Sequence, residues 1–586
     1  MRAGIQQGSL AALALGLSLS TGALAQDRQR GISVVPDEDL VDQLAPEKPM
    51  DSTVVLPPAP PPPAEASLAA LPRVAVRKVV IDDGSILSAT EVARTAAGYT
   101  GREVTIEELE ELRRRLSLAY FDRGYVNSGV VLPDQEVTDG VIHFREVRGE
   151  LTEIRLSGNE HLNDWYVLSR VDRQEAQPLE INALQTSLQL LEQEPLVKRI
   201  NAQLIPGATP GEGILRLDLA ENRPWQLVFG ADNHRSPAVG GAQGTLLFRH
   251  LSLSGRGDNL TLYGSYADGY WDGYGSYEAP LNSYGTSITF YGSRADSDIV
   301  EEPFDQIDIE SETYTYGFSI AHPFHRSLTG MFSGFIGLEI RHNENTLLGE
   351  PFSFTYGERD GETDVSVVYG GIEFAKRAET SVTAVRLGVR RGLHKWGATA
   401  NGNGFGRPKY GPDGQFTTVL LQGQYVRNLE WRDSVLIART TLQRAMDPLL
   451  SMEKLPVGGS STVRGYRENQ LVRDNGFIAS LEWQTPLFMV DTAAERFDPR
   501  RLKLAVFFDF GRSWDTSWDT PFEPDFELPS ATEKNISSAG LGLLWDPKPG
   551  LHAELYWGNA FMDFDSGGSD LQDDGIHFRF AWNPWN

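Results

Sequence analysis

A membrane β-barrel carried behind two small α+β domains is the architecture the sequence predicts, and three observations predict it. An apolar run near the amino terminus is too short to cross a bilayer as a helix, two successive stretches of about 75 residues share one order of elements, and roughly the last 360 residues alternate apolar and polar at period two. With 586 residues the chain is also too long for a single ordinary core.

Each segment follows from its own composition. Residues 9–19 are apolar, and Ala23, Leu24 and Ala25 match the small-residue pattern of a signal peptidase site, so 1–25 reads as a secretory signal with Gln26 starting the mature chain. No other stretch approaches the roughly 18 apolar residues that a spanning helix requires. That excludes helical membrane proteins but not barrels, whose lipid face appears only at every second residue. The chain has no cysteine, so export offers it neither disulfides nor thiolate chemistry. A formal charge of −27 argues against nucleic acid as a partner, because phosphates call for clustered Lys and Arg.

Residues 26–73 include LPPAPPPPA at 56–64, which favours an extended proline-rich linker over a packed element. From 74 to 149 the pattern becomes strand, helix, helix, strand, strand. Residues 74–81 are rich in β-branched side chains, and Thr105 with Glu108 forms a capping box for a helix in which Ile106, Leu109, Leu112, Leu116 and Ala119 recur at helical spacing. Strands are predicted at 126–132 and 141–147. The stretch 150–222 repeats the order, with a strand at 151–156, helices near 164–170 and 181–191, and strands at 197–205 and 214–219.

Residues 223–586 consist of short alternating segments between Gly, Asn, Asp and Ser clusters. Leu502, Leu504, Val506, Phe508 and Phe510 share one face, while Lys503, Ala505, Phe507 and Asp509 share the other. Phe477, Ala479, Leu481 and Trp483 alternate with Ile478, Ser480, Glu482 and Gln484 in the same way, and Ile576, Phe578, Phe580 and Trp582 with His577, Arg579 and Ala581. A charged row opposite an apolar row suits a wall between lipid and a wet lumen. A soluble sandwich would turn the apolar rows inward, and periodicity alone does not separate the two. The export signal, the aromatic strand ends and the extent of the pattern favour the membrane. At roughly 22 residues per strand with its share of loop, the segment gives about 16 antiparallel strands, closed so that no sheet edge stays unpaired in hydrocarbon.

Two motifs carry mechanism. The loop-like run 458–467 contains Val463, Arg464, Gly465 and Tyr466, and the strand 502–511 carries Phe507, Asp509 and Gly511 in the sequence FFDFG. Alternation alone places Asp509 on the luminal face. A guanidinium is a planar fork suited to a carboxylate, and a desolvated pair of this kind costs roughly 3–5 kcal/mol to break from one side. Asp509 is the preferred partner of Arg464, and Glu482, luminal by the same alternation, is the alternative anchor.

Tyr120, Arg123, Gly124, Tyr125, Val126, Asn127 and Ser128, with Leu132, Pro133, Gln135, Gly140 and then Arg148, Gly149, Glu150 and Leu151, resemble the first POTRA domain of two-partner-secretion transporters. Leu204, Ile205, Pro206 and Gly207, with Pro210 and Gly211, extend that resemblance into the second repeat. The VRGY run is similar to the sixth extracellular loop of the POTRA-bearing barrel superfamily, in which the arginine lies inside the barrel against the acid of an F-x-D-x-G strand. The resemblance implies 16 strands and the division 1–25 signal, 26–73 periplasmic linker, 74–149 and 150–222 POTRA domains, and 223–586 barrel. It also implies a Gram-negative outer-membrane transporter whose partners are a secreted adhesin- or haemolysin-like exoprotein, captured unfolded by the POTRA domains, together with outer-membrane lipid and the assembly machinery that inserts it. Two departures bear on gating and insertion: the linker lacks a long amphipathic plug segment, and the sequence reads Trp585 and Asn586 where many barrels have a final Phe.

Enzyme chemistry is not expected, and neither is a cofactor or metal. The sequence has no Walker loop, no H-E-x-x-H and no G-x-S-x-G. Gly402, Gly404 and Gly406 sit in an Asn/Gly-rich loop, His577 reads as a lumen residue, and the clusters Asp268 with Gly269 and Asp573, Asp574 with Gly575 lack calcium-loop spacing. A barrel-assembly factor is the alternative function, since it would share the repeats and the VRGY loop.

Overall fold

A computed structural model describes residues 54–55, 73–82, 85–171, 178–302, 304–354, 357–401, 411–490, 497–517, 534–564 and 569–585. The expected signal, nearly all of the proline-rich linker and the glycines at 402, 404 and 406 lie outside the described residues. Contacts divide the chain into one unit of Met50–Asn222 and another that contains Arg223–Asn586.

In the first unit, the β-branched run expected as one strand is two, Arg73–Val76 and Lys78–Asp82, because its halves pair differently. The first half lies antiparallel to Arg102–Thr105, an element the sequence pattern did not suggest, and the second runs parallel to Val141–Val147. Gly140, at φ 70°, accepts from the Arg77 N–H at 2.7 Å where the halves part. The capping box forms as predicted: the Glu108 N–H donates to Thr105 Oγ1 at 3.3 Å, and the Thr105 N–H to Glu108 Oε2 at 2.8 Å. The helix it opens, Ile106–Phe121, buries Leu109, Leu112, Leu116 and Tyr120 against Val130, Ile142 and Phe144. Ile106 does not join them; in the first turn it is 46% exposed. The last short strand, Gly129–Val131, pairs with Val141–Val147, and Gln135 extends that ladder by exchanging two hydrogen bonds with the His143 backbone.

The second repeat has its helices at Asp164–Val171 and Ile181–Glu192 and its strands at Glu150–Ser157, Val197–Pro206 and Glu212–Glu221. The two-residue strand Val54–Val55 adds to this sheet, parallel to Ala202 and Gln203. Several motif residues form the joint between the repeats. Asn127 Nδ2 donates to the Gly211 and Glu150 carbonyls at 2.8 and 3.2 Å, and the Gly149 N–H to Ser128 Oγ at 2.8 Å. A Cβ on Gly149 would lie 2.0 Å from Asn127 Oδ1, so a larger residue there would displace the Asn127 amide from the joint.

The second unit is a closed antiparallel barrel of sixteen wall strands. They are Trp225–Asp232, Gln243–Leu251, Asn259–Ala267, Tyr270–Pro280, Ser287–Asp298, Ile309–Ser327, Gly330–Leu347, Glu362–Arg377, Ser381–Leu393, Thr417–Asn428, Val435–Ala445, Asn475–Pro486, Leu502–Trp514, Lys534–Lys548, Leu551–Ala560 and Ile576–Trp582. Closure comes from the first and last strands, which share four residue pairs from Phe229 with Trp582 to Asp232 with Arg579. Period two sorts each wall strand. Val506 and Phe508 are 40% and 47% exposed on the outside, whereas Phe507 and Asp509 are buried inside. Apolar outside and charged inside is the arrangement hydrocarbon demands, and it is the reverse of a soluble sandwich. Among the described residues no helix is long and apolar enough to cross a membrane.

Candidate functional site: a loop tied to the inner wall

The eleventh and twelfth wall strands, Val435–Ala445 and Asn475–Pro486, are joined by residues 446–474, which fold into the barrel unit's interior. A small hairpin, Leu455–Val457 with Leu471–Arg473, shapes the loop. Its turn closes through the Gly459 N–H to the Val463 carbonyl at 3.1 Å and the Gly458 N–H to Thr462 Oγ1 at 2.8 Å. Leu455, Val457, Val463, Tyr466 and Leu471 bury their side chains together with Ile478 and Ile536 of the wall. The luminal glycine of FFDFG makes room for them, since a Cβ on Gly511 would lie 2.5 Å from Val457 Cγ1 and 2.9 Å from Val463 Cγ2.

Arg464 is 5% exposed and sits between two wall carboxylates, Asp509 at 0% and Glu482 at 1%. Its Nε donates to Asp509 Oδ2 at 2.8 Å and its Nη2 to Oδ1 at 3.0 Å, while its own backbone N–H reaches Oδ2 at 3.0 Å. Nη1 pairs with Glu482, and Nη2 also donates to Ser480 Oγ at 3.2 Å. The guanidinium carbon lies 3.7 Å over the Phe507 ring and 4.8 Å from that of Tyr556. Glu482 has its remaining acceptor sites filled by Gln484 Nε2 at 2.7 Å and the Tyr556 hydroxyl at 3.0 Å. The two anchors weighed from sequence are therefore not alternatives: Asp509 takes the fork and Glu482 the outer nitrogen.

The remaining motif residues have distinct places. Gly465, at φ 88°, brings the loop backbone against the fifteenth strand, where a Cβ would meet the Gly558 carbonyl oxygen at 2.8 Å. Its N–H donates to Nε2 of buried His577 at 3.3 Å. The Tyr466 hydroxyl donates to the Ser537 carbonyl at 2.9 Å and accepts from the Met562 N–H at 3.1 Å. Just beyond, Arg467 bridges Asp573 and Glu301, at 2.7 and 2.8 Å, and so absorbs one of the acidic clusters noted in the sequence. Tyr556 and Gly558 were not singled out from sequence, and Ser480 figured there only as one member of an alternating row. Each lies on a wall strand whose alternation marks it as inward or close-packed, but only strand register brings it to Arg464. Among the described residues no group of His, Asp and Glu is arranged to hold a metal.

A closed sixteen-strand barrel with its polar row inward, a loop tied to that row and an α+β module ahead of it define a transporter of the POTRA-bearing outer-membrane class, with the barrel in the outer membrane and the POTRA module in the periplasm. The family model described as haemolysin secretion/activation protein ShlB/FhaC/HecB matches residues 211–523, and the ShlB-type POTRA domain model matches 74–149. The chain belongs to this family, whose similar members are two-partner-secretion transporters. It is 19% identical over 418 residues to the outer membrane transporter CdiB of Dickeya dadantii, covering 70% of this chain and 72% of that one. It is 22% identical over 434 residues to the heme/hemopexin transporter protein HuxB of Haemophilus influenzae, covering 72% of each. The solved structure of CdiB from Escherichia coli superposes with a TM-score of 0.62 at 18% identity over the full length of both chains. BamA from Haemophilus ducreyi lacking POTRA domains 1–3 superposes with a TM-score of 0.53 at 15% identity, over 87% of this chain and all of that one.

Proposed function

We propose that this chain carries a large unfolded exoprotein, of the adhesin or haemolysin kind, from the periplasm to the cell surface, with 74–149 and 150–222 acting as two POTRA domains that capture the client and the VRGY loop anchored in the pore. Residues 1–25 are assigned as the export signal, 26–73 as the periplasmic linker and 223–586 as the barrel. The observation that carries the reading is the burial of Arg464 between Asp509 and Glu482 on the inner wall of a closed barrel. Burying a cation is costly unless geometry compensates, and here the Asp509 fork and Glu482 compensate it only while the loop stays on the wall. Edge strands in the α+β repeats support capture of an extended chain, because added main-chain hydrogen bonds give affinity with little demand on sequence. The strand Val54–Val55 is seated on one such edge, parallel to Ala202 and Gln203. The alternative, a barrel-assembly factor, draws on the BamA likeness, which is one of fold.

The test compares cells lacking the gene, cells complemented with the parent and cells complemented with Arg464→Ala. Loss of one large protein from the medium, with outer-membrane protein content unchanged, supports secretion. Broad loss of outer-membrane barrels would favour assembly. Full secretion by Arg464→Ala would remove the anchoring role.

A further inference from the structure

Where the loop leaves the wall, Leu449 and Leu450 are buried against Val365, Val367 and Phe416, and residues Ser451–Glu453 make a single tight turn. That turn delivers the Glu453 side chain, 0% exposed, to the inner wall between Arg341 of the seventh strand at 3.3 Å and Arg390 of the ninth at 3.4 Å. Both arginines also pair with Glu339 of the wall, Arg390 at 2.8 Å. Arg341 Nη1 donates to the Met452 carbonyl at 2.9 Å, so one wall cation grips both the backbone and the carboxylate of the turn. The Tyr291 hydroxyl donates to Glu339 at 2.8 Å and lies 3.1 Å from that of Tyr369, which fixes the wall half. Gln443 Nε2 links the two ends of the loop through the Glu453 and Asp474 carbonyls, at 3.2 and 3.0 Å.

We infer that Glu453 is a second anchor of the loop with reversed polarity: a loop carboxylate held by two wall arginines, where the tip offers an arginine to two wall carboxylates. The inference rests on the proposed role of the loop and extends it from one lock to two. The four charges Arg341, Arg390, Glu339 and Glu453 cancel while the loop is seated. Withdrawing Glu453 leaves two buried guanidiniums on one carboxylate, so leaving the wall is opposed electrostatically at the root as well as at the tip. The root distances of 3.3 and 3.4 Å exceed the 2.8 and 3.0 Å of the Asp509 fork, which makes the root the weaker of the two. Glu453 thus holds the root of the loop and is a positioning residue.

The chain has no cysteine, so one introduced thiol reports on the root without interference. Met452→Cys is placed in the full-length protein in detergent micelles, and labelling by a hydrophilic maleimide is timed in the parent, in Glu453→Gln, and in Glu453→Gln with Arg390→Gln. Glu453→Gln is expected to speed labelling on the order of 100-fold, the cost of breaking a buried pair from one side. Removing one cation as well restores neutrality and is expected to return the rate toward the parent. An unchanged rate in Glu453→Gln overturns the anchor, and so does a faster rate that Arg390→Gln fails to lower, since simple loss of packing would only worsen. Should Glu453→Gln not form a barrel, Glu453→Asp carries the test: its shorter reach must speed labelling, and no change overturns the anchor. No client is involved, so failure here is distinct from full secretion by Arg464→Ala, which would count against the tip reading instead.

Discussion

Asp509→Asn is expected to loosen the loop tip far more than Glu482→Gln. Asp509 accepts from the Arg464 backbone N–H, Nε and Nη2, whereas Glu482 takes Nη1 alone and keeps Gln484 and Tyr556 as further partners. Neutralising Asp509 breaks a buried pair from one side, worth about 3–5 kcal/mol. At about 1.4 kcal/mol per factor of ten, the tip should open roughly 10²- to 4 × 10³-fold more often. Neutralising Glu482 forfeits a single charge-assisted bond, about 1.5–3 kcal/mol, for an increase of roughly 10- to 100-fold. Hydrogen exchange followed by mass spectrometry reads this directly, because the Gly459, Thr462 and Arg464 amides are all bonded in the docked tip and exchange only on opening. A peptide from the wall strand Leu502–Trp514 serves as the internal control. Equal effects of the two substitutions, or none from Asp509→Asn, would refute the unequal sharing of Arg464.

Gly465→Ala should disrupt docking and secretion together, since its Cβ would sit 2.8 Å from the Gly558 carbonyl at a φ of 88° that alanine disfavours; Gly558→Ala, whose Cβ would lie 2.8 Å from Gly465 Cα, should reproduce the defect, and comparing secreted client in the medium checks both. Leu116→Ala, at 0% exposure in the first repeat, should cost about 2–5 kcal/mol of that domain's stability, read as faster limited proteolysis with the barrel's heat-modifiable mobility intact. In the helix Ile106–Phe121, hydrogen bonds from Arg114 and then Arg115 lower the Glu111 carboxyl from 4.5 to about 2. A lowered value means the contribution is present above pH 4.5 and is lost as pH falls toward 2, so proteolytic resistance of the repeat should decline across that window, and less steeply in Glu111→Gln.

The barrel was legible because lipid on one side and water on the other impose a period-two code on each wall strand. The face of Asp509 followed from its neighbours alone. Its sharing of Arg464 with Glu482 did not, since that depends on Ser480 standing opposite Asp509 and Glu482 opposite Phe507 in the ladder, a register set by long-range pairing. Glu453 was invisible for a similar reason: Arg341 is more than a hundred residues away, and the only local trace was a charged pair, Glu339 and Arg341, on one face of an otherwise unremarked strand. In the first repeat, 74–81 is rich in β-branched residues and reads as one strand, and only the choice of partners split it at Arg77.

The short closure of the barrel has a mechanical consequence. Where the sixth and seventh strands share eighteen residue pairs, the first and last share four. Beyond Asp232 an amide side chain continues the zipper: Asn233 Nδ2 donates to the Ile576 carbonyl at 2.9 Å and its Oδ1 accepts from the Phe578 N–H at 2.8 Å. With four rungs, this is the seam with the fewest paired residues between neighbouring wall strands, and so the one with the least main-chain bonding to resist lateral stress. Because one of its clasps is a side chain, evolution can tighten or slacken the whole hoop by changing a single codon.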